Sequence, residues 1–209
     1  HHIQYPVLRQ QAEAEGITPY EVANRIIDRL AEGLPYPALL TRNLHVYPDH
    51  YGNRAPYADP HSRGVVDGLT LDKSVEALAL LYYATVQALA YNIRDVLRAL
   101  QESGYTIDTI FVTGGSVKNR VWLREHADIT GCRIVINREP EAVLLGSAIL
   151  GAVASGAYPD IPSAMKAMSQ PELVIEPNPA TARYHAVKFE LFREMYQQHR
   201  ARRERMAQV

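Results

Sequence analysis

Seven consecutive residues, Thr113-Gly114-Gly115-Ser116-Val117-Lys118-Asn119, combine types that suit an anionic ligand. Adjacent glycines let the backbone approach a ligand without interference from Cβ atoms, and they can present amide N–H groups in a concave array. They follow the β-rich run 107–113 and precede a helical pattern beginning at Asn119. A helix start adds free N–H groups and the positive end of its dipole, so a phosphate is the natural guest. Asn119 can cap that helix or contact a nucleotide. Two glycines between strand and helix also make a plain connecting turn, and spacing alone leaves both readings open. The pattern is neither GxxxxGK[ST] nor GxGxxG.

Other residues with chemical potential read more plainly. Glu139-Pro140-Glu141 could pair carboxylates for acid–base work or magnesium, but proline and glutamates ahead of a helix are ordinary capping chemistry. The eight histidines are scattered, and none forms an HxxxH or HExxH pair on one helix. Cys132, between Gly131 and a strand, reads as a small buried hydrophobe.

The elements that position these residues alternate in period. Residues 5–32 read as two helices. Thr18-Pro19-Tyr20-Glu21 supplies an N-cap, a proline at the first helical position and a glutamate at the third, ahead of Val22, Ile26, Ile27 and Leu30 on one face. Residues 41–70 are dense in turn formers and read as an ordered irregular segment, either functional or packed against something. Ser74 to Ser103 carries the longest helical pattern, with Leu78, Leu81, Thr85, Leu89, Ile93 and Leu97 as one stripe and Gly104 as its stop. Other apolar positions up to Tyr91 bury it on more than one side, and charges from Arg94 onward put its C-terminal end nearer the surface. The strand at 107–113 comes next. A helix follows from Asn119 to Thr130, with Val121, Leu123, His126, Ala127 and Ile129 inward, and then a strand over 133–136. A helix over 141–155 is rich in small residues, which lets it pack very close to a neighbouring element or a ligand. A short helix spans 163–168. The last runs from Ala180 to Met206, with Phe189, Phe192 and Tyr196 in the core and Arg200 to Arg205 as a solvated tail. Strands alternating with helices argue for an α/β class.

Bulk properties exclude several functions. The chain has 209 residues, 47% apolar and 22% charged, as in an ordinary globular domain. A net charge of -1 gives no reason to expect nucleic acid or an anionic membrane as partner. One cysteine rules out an internal disulfide and fits a reducing compartment. No apolar run reaches the roughly 18 residues of a membrane span. A signal-peptide pattern is missing, and a cytoplasmic protein is the expectation.

The motifs in their order resemble a known family. Gly52-Asn53-Arg54-Ala55-Pro56, Asp59-Pro60, Arg63-Gly64 and Gly68-Leu69-Thr70-Leu71 precede the long helix, and Thr113-Gly114-Gly115 and Asn119 follow it. Ala127-Asp128-Ile129-Thr130-Gly131, 141–148 and Ala154-Ser155-Gly156 complete the series. Together they resemble the C-terminal domain of FGGY carbohydrate kinases, and residues 48–54 and 84–90 look most like the D-ribulose kinase branch. The resemblance implies an actin-like, ribonuclease-H-like ATPase domain. It divides the chain into a helical lead-in (1–40), the irregular segment (41–70), a nucleotide-binding core (71–160) and C-terminal helices (161–209). It also implies ATP with Mg²⁺, and a sugar or sugar alcohol held mostly by an N-terminal domain that this chain lacks. Nucleotide binding falls on Gly114, Gly115, Ser116 and Asn119. No position matches the family's catalytic aspartate, which is expected upstream, so no catalytic residue is assigned and this fragment alone is expected to be inactive. A homodimer stays open, and the rival reading is a non-catalytic actin-like module that binds nucleotide or a partner.

Overall fold

The computed structural model describes residues 4–139 and 141–209. Helices α1 (Tyr5–Glu15) and α2 (Pro19–Leu30) lead in, and the Thr18 hydroxyl accepts the Glu21 amide at 3.2 Å, closing the expected N-cap. Strands β1 (His45–Tyr47) and β2 (Val65–Asp67) form an antiparallel pair within the segment read as irregular. Between them, side chains replace regular structure. Asn53 donates to Asp49 at 3.2 Å and accepts the Tyr57 amide at 3.1 Å. The segment does pack against something: Tyr57 stacks on Tyr196 with ring centroids 4.1 Å apart.

Helix α3 (Val75–Glu102) is the spine, capped by Ser74, whose hydroxyl accepts the Ala77 amide at 3.0 Å. Its buried side corrects the expected stripe. Leu89 and Ile93 are exposed, whereas Ala79, Tyr83, Gln87, Ala90 and Asp95 are buried. The buried Ala79, Ala84, Ala88 and Ala90 admit neighbours closely around the larger Tyr83 and Gln87, which a count of large apolar residues does not register. Asp95, in the half expected near the surface, is fully buried and accepts the Tyr57 hydroxyl at 2.6 Å.

Beyond α3 a three-stranded sheet forms in the order β3 (Thr109–Val112), β4 (Arg133–Asn137), β5 (Pro171–Ile175). β3 and β4 are parallel and joined through α4 (Arg120–Thr130), while β5 returns antiparallel to β4. Helices α5 (Ala142–Ala154) and α6 (Ile161–Met168) pack on each other, and α7 (Ala182–Met206) closes the chain. Close packing of α5 through its small residues is not what forms: nothing lies within 4 Å of a Cβ built at Gly146 or Gly151, and Ile149 is the one buried residue of the helix. The tail reading also changes at Arg203, which pairs with Asp59 at 2.5 Å.

Helix α4 reaches all three apolar clusters. Ile129 joins β1, α3 and α7, Val121 joins α1, α2 and α3, and Leu123 and Ala127 join the sheet. Its axis, and so the position of its N-terminus, is fixed from three directions. A buried polar contact adds to this. Glu125 accepts the Tyr83 hydroxyl at 2.6 Å and the Gln87 amide at 3.0 Å, and burial pushes its carboxyl pKa up.

Candidate functional site

β3 ends at Val112, and the chain turns through Gly114 with φ 81 and ψ -158, a conformation open essentially to glycine alone. A single 3-10 turn, Gly115–Lys118, lies between the glycines and α4, which starts with Asn119 as its N-cap where the sequence places the helix start. The first amides of such a turn have no partner inside it. A Cβ built on Gly114 or Gly115 would meet nothing within 4 Å, which leaves open space above both.

On the Gly115 side the turn borders a cleft of about 600 Å³ between α2 and α3, within the range of small-molecule sites. Gly115, Ser116 and Asn119 line it; Gly114 shapes the turn but is not among the lining residues. Tyr20, Asn24, Tyr82, Leu89 and Trp122 make much of the remaining wall, and Lys118 and Arg120 lie at the turn. Arg120 is paired with Asp28, while Lys118 has no ion pair among the described residues. An uncommitted ammonium beside free amides favours an anion.

Asn119 is the structural hinge of this cleft. Its Oδ1 caps α4 by accepting the Trp122 amide at 3.2 Å, and it also accepts the Asn24 side-chain amide at 3.2 Å. Its Nδ2 donates to the Tyr82 hydroxyl at 2.7 Å, and that hydroxyl donates to Asn24 Oδ1 at 3.1 Å. Three side chains from α2, α3 and the α4 cap thus close a ring of hydrogen bonds. Burial raises the Tyr82 pKa, against a smaller opposing effect of the Asn119 bond, and keeps the hydroxyl protonated as the ring requires. Of the two roles open to Asn119, the cap is therefore occupied.

Sequence reasoning missed Asn24 and Tyr82 because they lie 95 and 37 residues from Asn119. The regular helical spacing of α2 and α3 gave no sign that these polar groups turn toward a common point. The rest of the candidate chemistry is quiet. The Glu139 carboxylate accepts the Glu141 amide at 3.0 Å, ahead of α5, whose N-cap Glu141 makes no side-chain capping bond; Pro140 lies outside the described residues. Cys132 is buried, and burial pushes its thiol pKa up, away from nucleophilic reactivity. Among the lining residues Glu21 is the one carboxylate, exposed on the first turn of α2. The cleft can hold a phosphate-bearing ligand, and it lacks a buried general base.

The strand–diglycine turn–helix unit and the mixed sheet fit the α/β class, and comparison with known proteins makes the domain actin-like and ribonuclease-H-like. The sequence pattern of the FGGY family of carbohydrate kinases, C-terminal domain, matches residues 6–155, and the chain belongs to that family. It is 44% identical over 191 residues to an FGGY carbohydrate kinase domain-containing protein of Xenopus laevis, covering 91% of this chain and 34% of that relative. It is 36% identical over 157 residues to a D-ribulokinase of Saccharomyces cerevisiae, covering 74% of this chain and 22% of that protein. The crystal structure of a ligand-bound xylulose kinase from Lactobacillus acidophilus superposes with a TM-score of 0.72 at 26% identity, over 94% of this chain and 37% of that one. The chain therefore spans about a third of the length of such relatives.

Proposed function

We propose that this chain forms the nucleotide half of an ATP-dependent carbohydrate kinase whose acceptor is a ketopentose such as D-ribulose. The observation that carries the reading is the diglycine turn, opening on a cleft of about 600 Å³ with unobstructed space above Gly114 and Gly115. In this reading the amides of Gly115 and Ser116 and the Lys118 ammonium meet phosphate oxygens, while Tyr20, Tyr82 and Leu89 offer surface to the nucleoside. Asn119 acts by holding the turn rather than by surrendering its bonds to the ligand.

Mg²⁺ would arrive with the nucleotide. Among the described residues no three His, Cys, Asp or Glu side chains converge to hold a metal, so this chain's contribution lies in binding and orienting the phosphates. Phosphoryl transfer also needs an aligned hydroxyl and a base, and these fall to residues outside this chain. The pentulose assignment rests on likeness to the yeast D-ribulokinase and stays at the level of substrate class. A kinase assay of the full-length protein across ribulose, xylulose, ribitol and glycerol tests the reading. ATP-dependent phosphorylation with ribulose or xylulose preferred supports it. Preference for glycerol contradicts the pentulose class, and transfer to none of the four contradicts the kinase.

A further inference from the structure

A second groove, of about 460 Å³, lies away from the nucleotide cleft between α7 and the stretch around the 3-10 turn Pro37–Thr41. Its wall carries Arg42, His45, Arg183 and Lys188 and no carboxylate. Arg42 and Arg183 are exposed, and among the described residues neither has an ion pair. Acidic influence reaches the groove residues only from a distance: Asp67 acts on His45 more weakly than burial or Lys188 does, and Glu125 acts on Lys188 more weakly than burial does.

Lys188 is the unusual member. It is 5% exposed, and its Nζ reaches Thr41 Oγ1 at 3.0 Å, Gln87 Oε1 at 3.3 Å and the Tyr184 hydroxyl at 3.3 Å, with the Thr41 carbonyl closer still. All four acceptors are neutral. The nearest buried carboxylate, Glu125, stands behind Gln87, whose amide donates to it. A buried ammonium without a directly bonded counter-charge is expensive to keep, and burial pulls the Lys188 pKa down to about 7. An anion seated in the groove would supply the missing charge. Tyr36 and Tyr184, with ring centroids 5.8 Å apart, form an aromatic wall beside it, and Val187 and Leu191 an apolar rim.

We infer that this groove binds a small organic phosphate, with Arg42 and Arg183 holding the phosphate over Lys188 and the tyrosines covering the organic part. The inference does not depend on the nucleotide reading of the other cleft. Calorimetry of glucose 6-phosphate, inorganic phosphate and glucose against the chain tests it, using Arg42→Gln/Arg183→Gln and the cleft variant Gly115→Arg. Both arginines are exposed, so the double variant is expected to fold as the parent does, which circular dichroism checks. Charge-assisted contacts of this kind predict at least about tenfold weaker glucose 6-phosphate binding in the double variant. Binding should be unchanged in Gly115→Arg, and glucose should not bind. Equal affinity in parent and double variant overturns the inference, as do loss in Gly115→Arg alone and a failure of the parent to bind either phosphate. Inorganic phosphate binding as tightly as glucose 6-phosphate overturns the organic part of the assignment.

Discussion

Replacing Asn119 tests the hinge of the cleft quantitatively. Asn119→Ala deletes the α4 N-cap, the contact with Asn24 and the contact with Tyr82 in one step. Loss of a cap costs about 1 kcal/mol. Asn24 is 5% exposed, and its side-chain amide then loses the acceptor it had, adding about 1–2 kcal/mol for a buried polar group left without a partner. The two together predict a destabilisation of about 2–3 kcal/mol. Asn119→Asp keeps an oxygen for the Trp122 amide and for Asn24 but cannot donate to Tyr82, so it should cost about 1 kcal/mol. Urea unfolding at pH 7 with equal m-values measures both. An alanine cost below about 1 kcal/mol would show that the ring is incidental. An aspartate cost equal to that of alanine would show that the cap is not what Asn119 provides.

The two glycines should behave differently. Gly114→Ala places a side chain at φ 81 and is predicted to destabilise by about 1–3 kcal/mol, whereas Gly115→Ala, which meets open space at an ordinary φ, should fall within about 0.5 kcal/mol of the parent; thermal unfolding of both compares them. The pH dependence of stability carries a histidine signature. Burial depresses the His126 pKa to about 4 from 6.5, against a smaller opposing effect of its bond to the Trp122 carbonyl. The folded state thus resists the proton that the unfolded chain accepts. Stability is full above pH 6.5, falls as the pH drops toward about 4 and levels for this group below that. His126→Phe should flatten that slope in denaturant midpoints taken from pH 7 to 4, and an undiminished slope contradicts the assignment.

Much of the frame could be read along the chain because its signals are local. Thr18, Ser74 and Asn119 each precede a helix and each accepts the backbone amide three residues on. The β-rich run before Gly114 forms β3, and the inward residues expected of α4 are all buried. Strand β5 was missed because Pro171-Glu172-Leu173-Val174-Ile175 is an edge strand, with a proline at its start and mostly exposed side chains, and so shows no clean alternation. Buried Gln87, Glu125 and Lys188 were invisible for a different reason. Each is polar and by type belongs on a surface, and only the meeting of α3, α4 and α7 satisfies them together. The same holds at the cleft, where the turn was legible and its supports Asn24 and Tyr82 were not.

The central claim, that the diglycine turn receives the phosphates of a nucleotide, is tested most directly by calorimetry of ADP against the parent chain and Gly115→Arg. A Cβ at position 115 meets nothing within 4 Å, so the arginine starts from open space beside the turn, and circular dichroism checks that the variant folds as the parent does. The account predicts measurable ADP binding to the parent and at least tenfold weaker binding to the variant at unchanged stability. Equal binding by the two proteins, or none by the parent, would contradict it.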